Sequence, residues 1–253
     1  MTSKNKIDII LPNYNSYKFI DKTIKSILSQ SFKNWKLIIV DDFSDKKTIE
    51  VLKKYKSFKK IKIFFLKSNN GDGFCRKFGI QKSKSEYIAF IDSDDIWAKN
   101  KLKLQYNFMK KHKFDFTYTY YTAFKEREKI EKKIITPNQF NFDSFIKNTS
   151  IATSSMIVKG NILKKITIKL SNSPNFDDYY LKCQILKKIK FAYCLKKNLL
   201  NYRISFNSLS SNKVRNLFWL WKINKVFNKL NFFNNLTSVI SISINSLKKY
   251  GLK

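Results

Sequence analysis

The sequence predicts an α/β fold in which helices cover a mostly parallel sheet. Short apolar runs rich in β-branched and aromatic residues alternate with segments whose apolar residues recur at helical spacing. Such alternation implies right-handed βαβ units, and in sheets of this kind ligands bind beyond the carboxyl ends of the strands. A chain of 253 residues with 43% hydrophobic residues is long enough to bury the core that this fold needs.

The first half of the chain contains four predicted strands separated by three predicted helices. Pro12 is expected to end the first strand, Ser16 to cap the first helix, and Ser44 or Asp45 to begin the second. The predicted strands are residues 7–11, 37–40, 61–66 and 87–91, and the third helix is residues 74–82. Polar residues follow each strand, so we expect four polar clusters to share one edge of the sheet.

The second half of the chain is less regular. Residues 114–121 and 152–158 are predicted strands, and residues 122–133 are a charged hairpin or an exposed loop. A short helix at 142–146, a helix at 179–188 and two short strands at 191–195 and 199–204 complete this part. From Val214 onward the chain is predicted to be helical.

The fourth predicted strand ends in three carboxylates, within Asp92-Ser93-Asp94-Asp95. If the backbone stays extended, Asp92 and Asp94 project to the same side with Cα atoms about 6–7 Å apart. Carboxylates at that spacing can share Mg²⁺ or Mn²⁺ with a substrate diphosphate. The alternative is an acidic turn in which Asp95 caps the next helix. Four polar clusters at one sheet edge favour the metal site.

The charge balance is strongly basic, with 51 Lys and Arg against 18 Asp and Glu, a formal net charge of +33. Three interpretations are open: a solvated lysine surface, attraction to an anionic membrane, and binding of nucleic acid. Only Arg76, Arg127, Arg203 and Arg215 are arginines, and the lysines are scattered along the whole chain. Because specific nucleic-acid recognition leans on clustered arginine, this scatter argues against a nucleic-acid partner.

Cysteine and histidine usage excludes several other classes of site. Cys75, Cys183 and Cys194 lie far apart without zinc-type spacing, which suits a reducing compartment and a cytoplasmic location. His112 is the only histidine, so catalysis by several histidines is excluded. We expect neither a signal peptide nor a membrane span, because no stretch reaches about 20 apolar residues.

Five motifs, taken together, resemble those of family 2 glycosyltransferases of the kind that build bacterial surface polysaccharides. The motifs are Pro12-Asn13-Tyr14-Asn15, Asp41-Asp42-Phe43-Ser44, Asn70-Gly71 through Arg76, Asp92-Ser93-Asp94-Asp95, and Asp177-Asp178. The resemblance covers about residues 5–210. It implies the GT-A fold, a Rossmann-like three-layer sandwich, and a reaction that inverts the anomeric carbon.

The resemblance also implies roles for individual residues. Asp94 would bind a divalent cation, Mn²⁺ or Mg²⁺, and Asp178 would act as the base, with Asp177 as the neighbour that could replace it. Tyr14 would stack on the base of the donor and Asp42 would hydrogen-bond the uracil edge. The complete set expected to bind the donor is Pro12, Tyr14, Asn15, Asp42, Asn70, Gly71, Arg76, Asp92 and Ser93.

Three positions depart from the pattern of the family. Cys75 stands where a small alanine is usual, and Asp177 stands where glutamate is frequent. Many relatives carry a histidine near the end of the domain, where this chain has Tyr202-Arg203-Ile204-Ser205. A histidine contact to the diphosphate is therefore absent or replaced.

We expect a catalytic domain at residues 1–212 and an amphipathic helical extension at 213–253. The extension could lie on an anionic membrane, with the enzyme peripheral at its inner face, or pack as a lid on the catalytic domain. The expected reaction moves a sugar from a nucleotide-sugar donor, UDP-linked by preference, to a lipid-linked or surface-polysaccharide glycan of the lipopolysaccharide, O-antigen or capsule type. The alternatives are a nucleotidyltransferase of sugar metabolism, a basic nucleic-acid-binding module, and an inactive relative.

Overall fold

The computed structural model describes residues 6–125, 130–166, 177–204 and 213–250. Ten strands in these residues join one sheet. The strands are β1 (Ile7–Asn13), β2 (Trp35–Asp41), β3 (Ile61–Phe65), β4 (Tyr87–Phe90), β5 (Ile96–Trp97), β6 (Phe116–Lys125), β7 (Ile130–Ile134), β8 (Gln139–Phe140), β9 (Ile157–Lys159) and β10 (Ala192–Arg203).

Nine α-helices lie within the described residues. They are α1 (Ile20–Leu28), α2 (Lys46–Lys53), α3 (Asp72–Lys82), α4 (Lys101–His112), α5 (Phe142–Phe145), α6 (Gly160–Lys165), α7 (Asp177–Leu186), α8 (Lys213–Lys222) and α9 (Phe232–Tyr250). A 3₁₀ turn at Thr153–Ser155 precedes β9, and a π-helical segment at Ile223–Phe227 follows α8.

The sheet is mixed, and its first half is parallel. The strand order is β3-β2-β1-β4-β9-β6-β10-β5, with β7 paired to β6 and β8 paired to β10. Strands β3, β2, β1 and β4 run parallel, whereas β9 is antiparallel to both of its neighbours, β4 and β6. The parallel half places the carboxyl ends of β1, β2 and β4 along one edge, as the βαβ pattern predicts.

Two hydrophobic clusters on opposite faces of the sheet make the three layers. Ile9 and Leu11 pack with α1, α2 and α4, whereas Ile10, one residue away, packs with α3 and α7. Successive side chains of a strand point to opposite faces, so a central strand buried on both faces reads as a continuous apolar run. The predicted α/β class and the three-layer arrangement are confirmed.

The four strands predicted in the first half are present. β1 continues through Pro12 to Asn13, so the expectation that Pro12 ends the strand is wrong. The pairing of β1 with β4 stops at Ile10↔Phe90, while its pairing with β2 continues to Asn13↔Asp41. Pro12 therefore lies beyond the last residue of β1 that pairs with β4, so the missing N–H of Pro12 removes no hydrogen bond from the sheet. The expectation that Ser16 caps α1 is wrong, because Phe19 is the residue before the helix; the carbonyl of Ser16 accepts from the N–H of Ile20.

Several predictions in the second half need correction. Residues 152–158 contain the 3₁₀ turn as well as the start of β9. The two short strands predicted at 191–195 and 199–204 are one strand, β10, with two register shifts against β6. Helices α4 and α6 were not predicted, and Asn100, not Asp95, is the residue before α4. The charged hairpin is confirmed as β6 and β7, with residues 126–129 outside the described part.

Lys101 carries a buried amine in the first turn of α4. Its side chain is fully buried, with Nζ 3.0 Å from Oε1 of Gln105 and 4.1 Å from the ring centroid of Trp97. Burial lowers the pKa of Lys101 well below its ordinary value. In the unfolded chain the same amine is protonated up to about pH 10.

We expect Lys101→Met to raise the free energy of unfolding by about 1–3 kcal/mol near pH 7. Between the folded and unfolded pKa values the unfolded state binds more protons, so the stability of the native protein increases with pH. The advantage of the variant should therefore shrink as the pH approaches 10. Urea unfolding at pH 7 and pH 9.5 measures both effects, with the exposed Lys103→Met as the matched control. A variant less stable than the native protein at both values would contradict this expectation.

Candidate functional site

The loops that follow β1 and β2 are tied together by short polar contacts. The amide of Asn13 donates to Oδ1 of Asp41 at 2.7 Å and accepts from the hydroxyl of Ser16. The backbone N–H of Ser44 donates to Oδ2 of Asp41 at 3.1 Å. Asn13 and Asp41 are opposite each other in the strand register, and both are buried. Their hydrogen bonds therefore hold together the two loops at this edge of the sheet. Sequence reasoning did not assign this role to either residue.

Asp42 holds the glycine-containing loop that leads into α3. Its carboxylate is 1% exposed and accepts from the backbone N–H groups of Asn70, at 2.8 Å, and Gly71, at 2.7 Å. Gly71 has a φ of 86°, in the left-handed region that disfavours other residues. The structure thus places Asp42, Asn70 and Gly71 next to one another, as the strand-end pattern predicts. The contact of Asp42 with a nucleotide base stays a prediction.

Exposed aromatic rings lie on the same loops. Tyr14 is 48% exposed, and Tyr17 and Phe43, which sequence reasoning did not single out, are also exposed. Asn15 has a φ of 47° and accepts from the N–H of Asp45 at 2.8 Å, so its side chain links the two loops. Exposed rings beside these buried polar side chains offer a surface on which a nucleobase can stack.

Arg76 of α3 is a buried cation that faces carboxylates. Its Nη2 lies 2.7 Å from Oδ1 of Asp92 and 3.7 Å from Oδ2 of Asp72. Burial opposes the charge, but the carboxylates of Asp92 and Asp72 raise the pKa of Arg76 above its ordinary value. Its buried Nε–H has no acceptor among the described residues. A phosphate oxygen would satisfy this donor, so Arg76 fits an anionic ligand.

The acidic motif divides into two partly exposed carboxylates and one buried carboxylate. Burial and the charge of Asp92 raise the pKa of Asp94 to about 6. Asp95 is fully buried; its Oδ1 accepts from the backbone N–H of Arg203 at 2.9 Å, and burial raises its pKa well above the ordinary value. Asp95 thus fastens the turn to β10. A divalent cation would relieve the repulsion between Asp92 and Asp94, so these two residues fit the predicted metal.

The acidic motif offers few carboxylates to a metal ion. No group of three or more His, Cys, Asp or Glu with metal-binding geometry occurs in the part of the chain that the structure describes. Magnesium and manganese are commonly held by one or two carboxylates together with substrate phosphates.

Asp178 lies in the first turn of α7, and several groups hold its carboxylate. Its Oδ2 accepts from Nζ of Lys182 at 2.7 Å and from Oγ1 of Thr153 at 2.9 Å. Burial opposes ionisation, but the charges of Lys182 and Arg76 lower the pKa of Asp178 to about 2. The carboxylate is therefore ionised at neutral pH. Lys182 and Thr153 were missed, although Lys182 lies at i+4 from Asp178, where helical side chains meet.

Asp177 packs over the start of α3. A Cβ atom built on Gly73 would lie 2.2 Å from Oδ2 of Asp177, so glycine is needed for this close approach. The ten residues before Asp177 lie outside the described part of the chain. Asp177 and Asp178 therefore reach the site from a separate segment and meet α3 there.

The predicted carboxylates share one electrostatic environment. Crowding by the surrounding protein and the charges of Asp92, Asp42 and Asp178 raise the pKa of Asp72, although its side chain is 48% exposed, while Arg76 opposes the rise. Pro12 is buried in β1, and the backbone carbonyl of Ser93 accepts from Oγ1 of Thr23 at 3.0 Å. The structure thus brings Asp42, Arg76, Asp92 and Asp178 together, whereas Pro12 and Ser93 contribute backbone positions.

A cavity of about 230 Å³ opens between Asp92 and Asp178. Thr153 and Lys182 line its polar side, and Leu220 of α8 and Ile242 of α9 line its apolar side. Tyr202 also lines the cavity, and Nε of Arg203 donates to the carbonyl of Asp94 at 3.0 Å. Tyr202 and Arg203 belong to the segment Tyr202-Arg203-Ile204-Ser205, in which we expected a histidine contact to be absent or replaced; Ser205 lies outside the described residues.

A second cavity, of about 340 Å³, opens at the opposite edge of the sheet among surface lysines and Glu86. It contains none of the predicted site residues. The cavity beside Asp178 is therefore the candidate active site.

The profile of the family described as "Glycosyl transferase family 2" matches residues 8–166. The chain belongs to glycosyltransferase family 2. The predicted family, fold and enzyme class are confirmed, and neither a nucleotidyltransferase nor a nucleic-acid-binding module is supported.

Two curated relatives align with most of the chain. A putative teichuronic acid biosynthesis glycosyltransferase, TuaG of Bacillus subtilis, is 30% identical over 97% of this chain and 98% of its own length. The Escherichia coli UDP-Glc:alpha-D-GlcNAc-diphosphoundecaprenol beta-1,3-glucosyltransferase WfgD is 30% identical over 86% of this chain and 84% of its own. The chain is thus a glycosyltransferase whose relatives act in bacterial polysaccharide biosynthesis.

Two solved structures share the fold. S. aureus TarS 1–349 in complex with UDP-GlcNAc has a TM-score of 0.69 at 16% identity, covering 96% of this chain and 81% of that chain. The mannosyltransferase PcManGT from Pyrobaculum calidifontis, in complex with GDP-Man and Mn²⁺, has a TM-score of 0.66 at 11% identity, covering 100% and 77%. Within the residues described, we find no helix with the length and apolar character of a membrane span.

Proposed function

We propose that this enzyme transfers a sugar from a UDP-sugar to a lipid-linked or surface-polysaccharide acceptor, with inversion at the anomeric carbon. The observation that carries the proposal is that Asp92, which is paired with Arg76 of α3, and Asp178 of α7 line one cavity. The acceptor class is supported by WfgD, whose name specifies a diphosphoundecaprenol-linked acceptor and a UDP-Glc donor.

The proposed donor site uses the strand-end loops. Tyr14 stacks on the base, while Asp42 and the backbone at Pro12, Asn15, Asn70 and Gly71 shape the nucleoside pocket. Asp92 and Ser93 lie by the ribose, and Arg76 faces the diphosphate. The exposure of Tyr14, the contacts of Asp42 and the free Nε–H of Arg76 support these placements.

The proposed metal ligand is Asp94, with Asp92 beside it. A bound Mn²⁺ or Mg²⁺ would neutralise the charge that develops on the departing nucleoside diphosphate. The raised pKa of Asp94 supports this assignment, because burial and the charge of Asp92 both disfavour the ionised carboxylate, and a bound cation would offset both. The Mn²⁺ in the PcManGT complex supports the class of ion.

The proposed base is Asp178. The acceptor oxygen bonds to the anomeric carbon as the bond from that carbon to the diphosphate breaks, and the hydroxyl proton passes to the Asp178 carboxylate. Lys182 and Thr153 hold Oδ2, which fixes the orientation of the carboxylate in the cavity wall. Because its pKa is about 2, the carboxylate takes the proton only as the acceptor oxygen gives up its electron density.

We also propose that residues 1–212 form the catalytic domain and that residues 213–253 form an extension packed on it. The enzyme would work at the inner face of the membrane. The start of α8 at Lys213 supports the boundary. The two apolar side chains that this extension contributes to the cavity, Leu220 and Ile242, support a role close to the acceptor.

The test is a screen of UDP-glucose, UDP-N-acetylglucosamine, UDP-galactose and GDP-mannose by thermal unfolding, with Mn²⁺ or with EDTA. A UDP-sugar at about 100 times its Kd should stabilise the protein by about 2.7 kcal/mol, with Mn²⁺ only. The same sugar should be hydrolysed slowly when no acceptor is added. Absence of any metal-dependent stabilisation by all four donors would refute the proposed function.

A further inference from the structure

The C-terminal helices are fixed to the catalytic domain by one face. Leu220, Ile223 and Asn224 are buried. The hydroxyl of Tyr179 donates to Oδ1 of Asn224 at 2.7 Å, and Nδ2 of Asn224 donates to Oγ of Ser238 at 2.8 Å. This buried polar chain links α7 to the π-helical segment and α9. The layer is therefore held in a defined orientation, which a loosely tethered helix would not have.

The opposite face of this layer is apolar and exposed. On α9 the exposed side chains Phe233, Leu236, Ile240, Ile244 and Leu247 recur at spacings of three and four residues, which is one stripe of a helix. Nine of the fifteen large hydrophobic side chains exposed in the described residues lie in this layer. We call this surface the apolar face; its other members are Leu217, Phe218, Val226 and Phe232.

The charges around the apolar face have one sign. Residues 179–253 contain no Asp or Glu. Exposed basic side chains in the layer are Arg215, Lys222, Lys225, Lys229 and Lys248. Apolar side chains flanked by cations match an anionic lipid surface, which attracts basic residues that lie close to it. A second copy of the chain would bring like charges together, so self-association is disfavoured.

We propose that the apolar face binds an anionic phospholipid surface, with α9 lying in the plane of the interface. The 19 residues of α9 span about 28 Å and carry serine and asparagine on the side that packs on the domain. Docking in this orientation brings the cavity beside Asp178 close to the lipid, because Leu220 and Ile242 of the same helices line it. The binding itself does not depend on the proposed reaction.

The first test uses vesicle flotation of the full chain without donor. Vesicles of phosphatidylcholine and phosphatidylglycerol at 7:3 should bind the protein, and pure phosphatidylcholine should bind it at least tenfold more weakly. Ile240→Ser/Ile244→Ser should weaken binding to the anionic vesicles at least tenfold. Phe58→Ser/Phe65→Ser removes two exposed rings outside the layer and should change binding less than twofold. Equal binding of both double variants would overturn the proposal.

The second test needs no variant. Trp35 and Trp97 are buried in the core, whereas Trp219 and Trp221 lie partly exposed in the layer. Brominated phosphatidylglycerol should therefore quench the fluorescence of bound protein through Trp219 and Trp221. Bound protein whose fluorescence is not quenched would overturn the proposal. A dimer of the native protein that becomes monomeric in the Ile240→Ser/Ile244→Ser variant would also overturn it. Failure of UDP-sugar binding would refute the proposed function while leaving the vesicle result intact.

Discussion

Asp178→Asn is expected to abolish sugar transfer while leaving the donor bound. General-base catalysis contributes about 10² to 10⁴ in rate, so kcat should fall by at least that factor. The donor Kd should change less than about threefold, because the proposed donor contacts come from the strand-end loops and α3. Initial rates with acceptor and UDP-sugar titrations measured on the same preparation separate the two effects.

The control for Asp178→Asn addresses the cation that it leaves behind. Lys182 is 4% exposed and pairs with Oδ2 of Asp178, so removing one partner leaves a buried charge that destabilises the fold. Asp178→Asn/Lys182→Met removes both charges and should recover the thermal midpoint without recovering transfer. Transfer restored in the double variant would show that Asp178 acts only by stabilising Lys182, and Asp177 would then be the stronger candidate for the base.

Asp94→Ala is expected to remove the dependence of donor binding on Mn²⁺. Without this proposed ligand the chain would no longer hold the cation that would offset the charge of the diphosphate, so UDP-sugar affinity should fall about a hundredfold at saturating Mn²⁺. Affinity measured in EDTA should stay close to that of the native protein. Isothermal titration of the UDP-sugar with and without Mn²⁺ gives both values.

Stability distinguishes a lost ligand from a damaged fold in Asp94→Ala. Burial and the charge of Asp92 raise the pKa of Asp94, so removing its carboxylate relieves repulsion and should not lower the thermal midpoint. Glu50→Ala deletes an exposed carboxylate on α2 and is the matched control for net charge. If Asp94→Ala retained the full Mn²⁺ effect, the metal would have to be held by Asp92 or elsewhere.

The sequence was most informative where strands are buried on both faces. The four parallel strands of the first half read as short apolar runs, and each ends in polar residues that the fold places at one edge. Asp42, Asn70 and Gly71 could be proposed as neighbours for this reason, and their direct hydrogen bonds agree with it. Here local pattern and topology point to the same answer.

Sequence reasoning failed where tertiary pairing overrides the local pattern. β10 was divided into two strands because Lys196, Lys197 and Asn198 interrupt its apolar run, but pairing with β6 carries the strand across register shifts. Helix α4 was missed because its lysines obscure the apolar periodicity, although Leu102 and Met109 are buried on one face. Each of these elements depends on neighbours distant in sequence.

By itself the sequence determined the family, the order of the strands and helices in the first half, and the residue types at the strand ends. Only the tertiary structure decided which of those residues meet. Arg76 pairs with Asp92 across 16 residues, and Thr153 reaches Asp178 across 25, because strand order and helix packing set the distances. The two faces of the C-terminal helices were decided in the same way, since burial against α7 selects which apolar residues remain exposed.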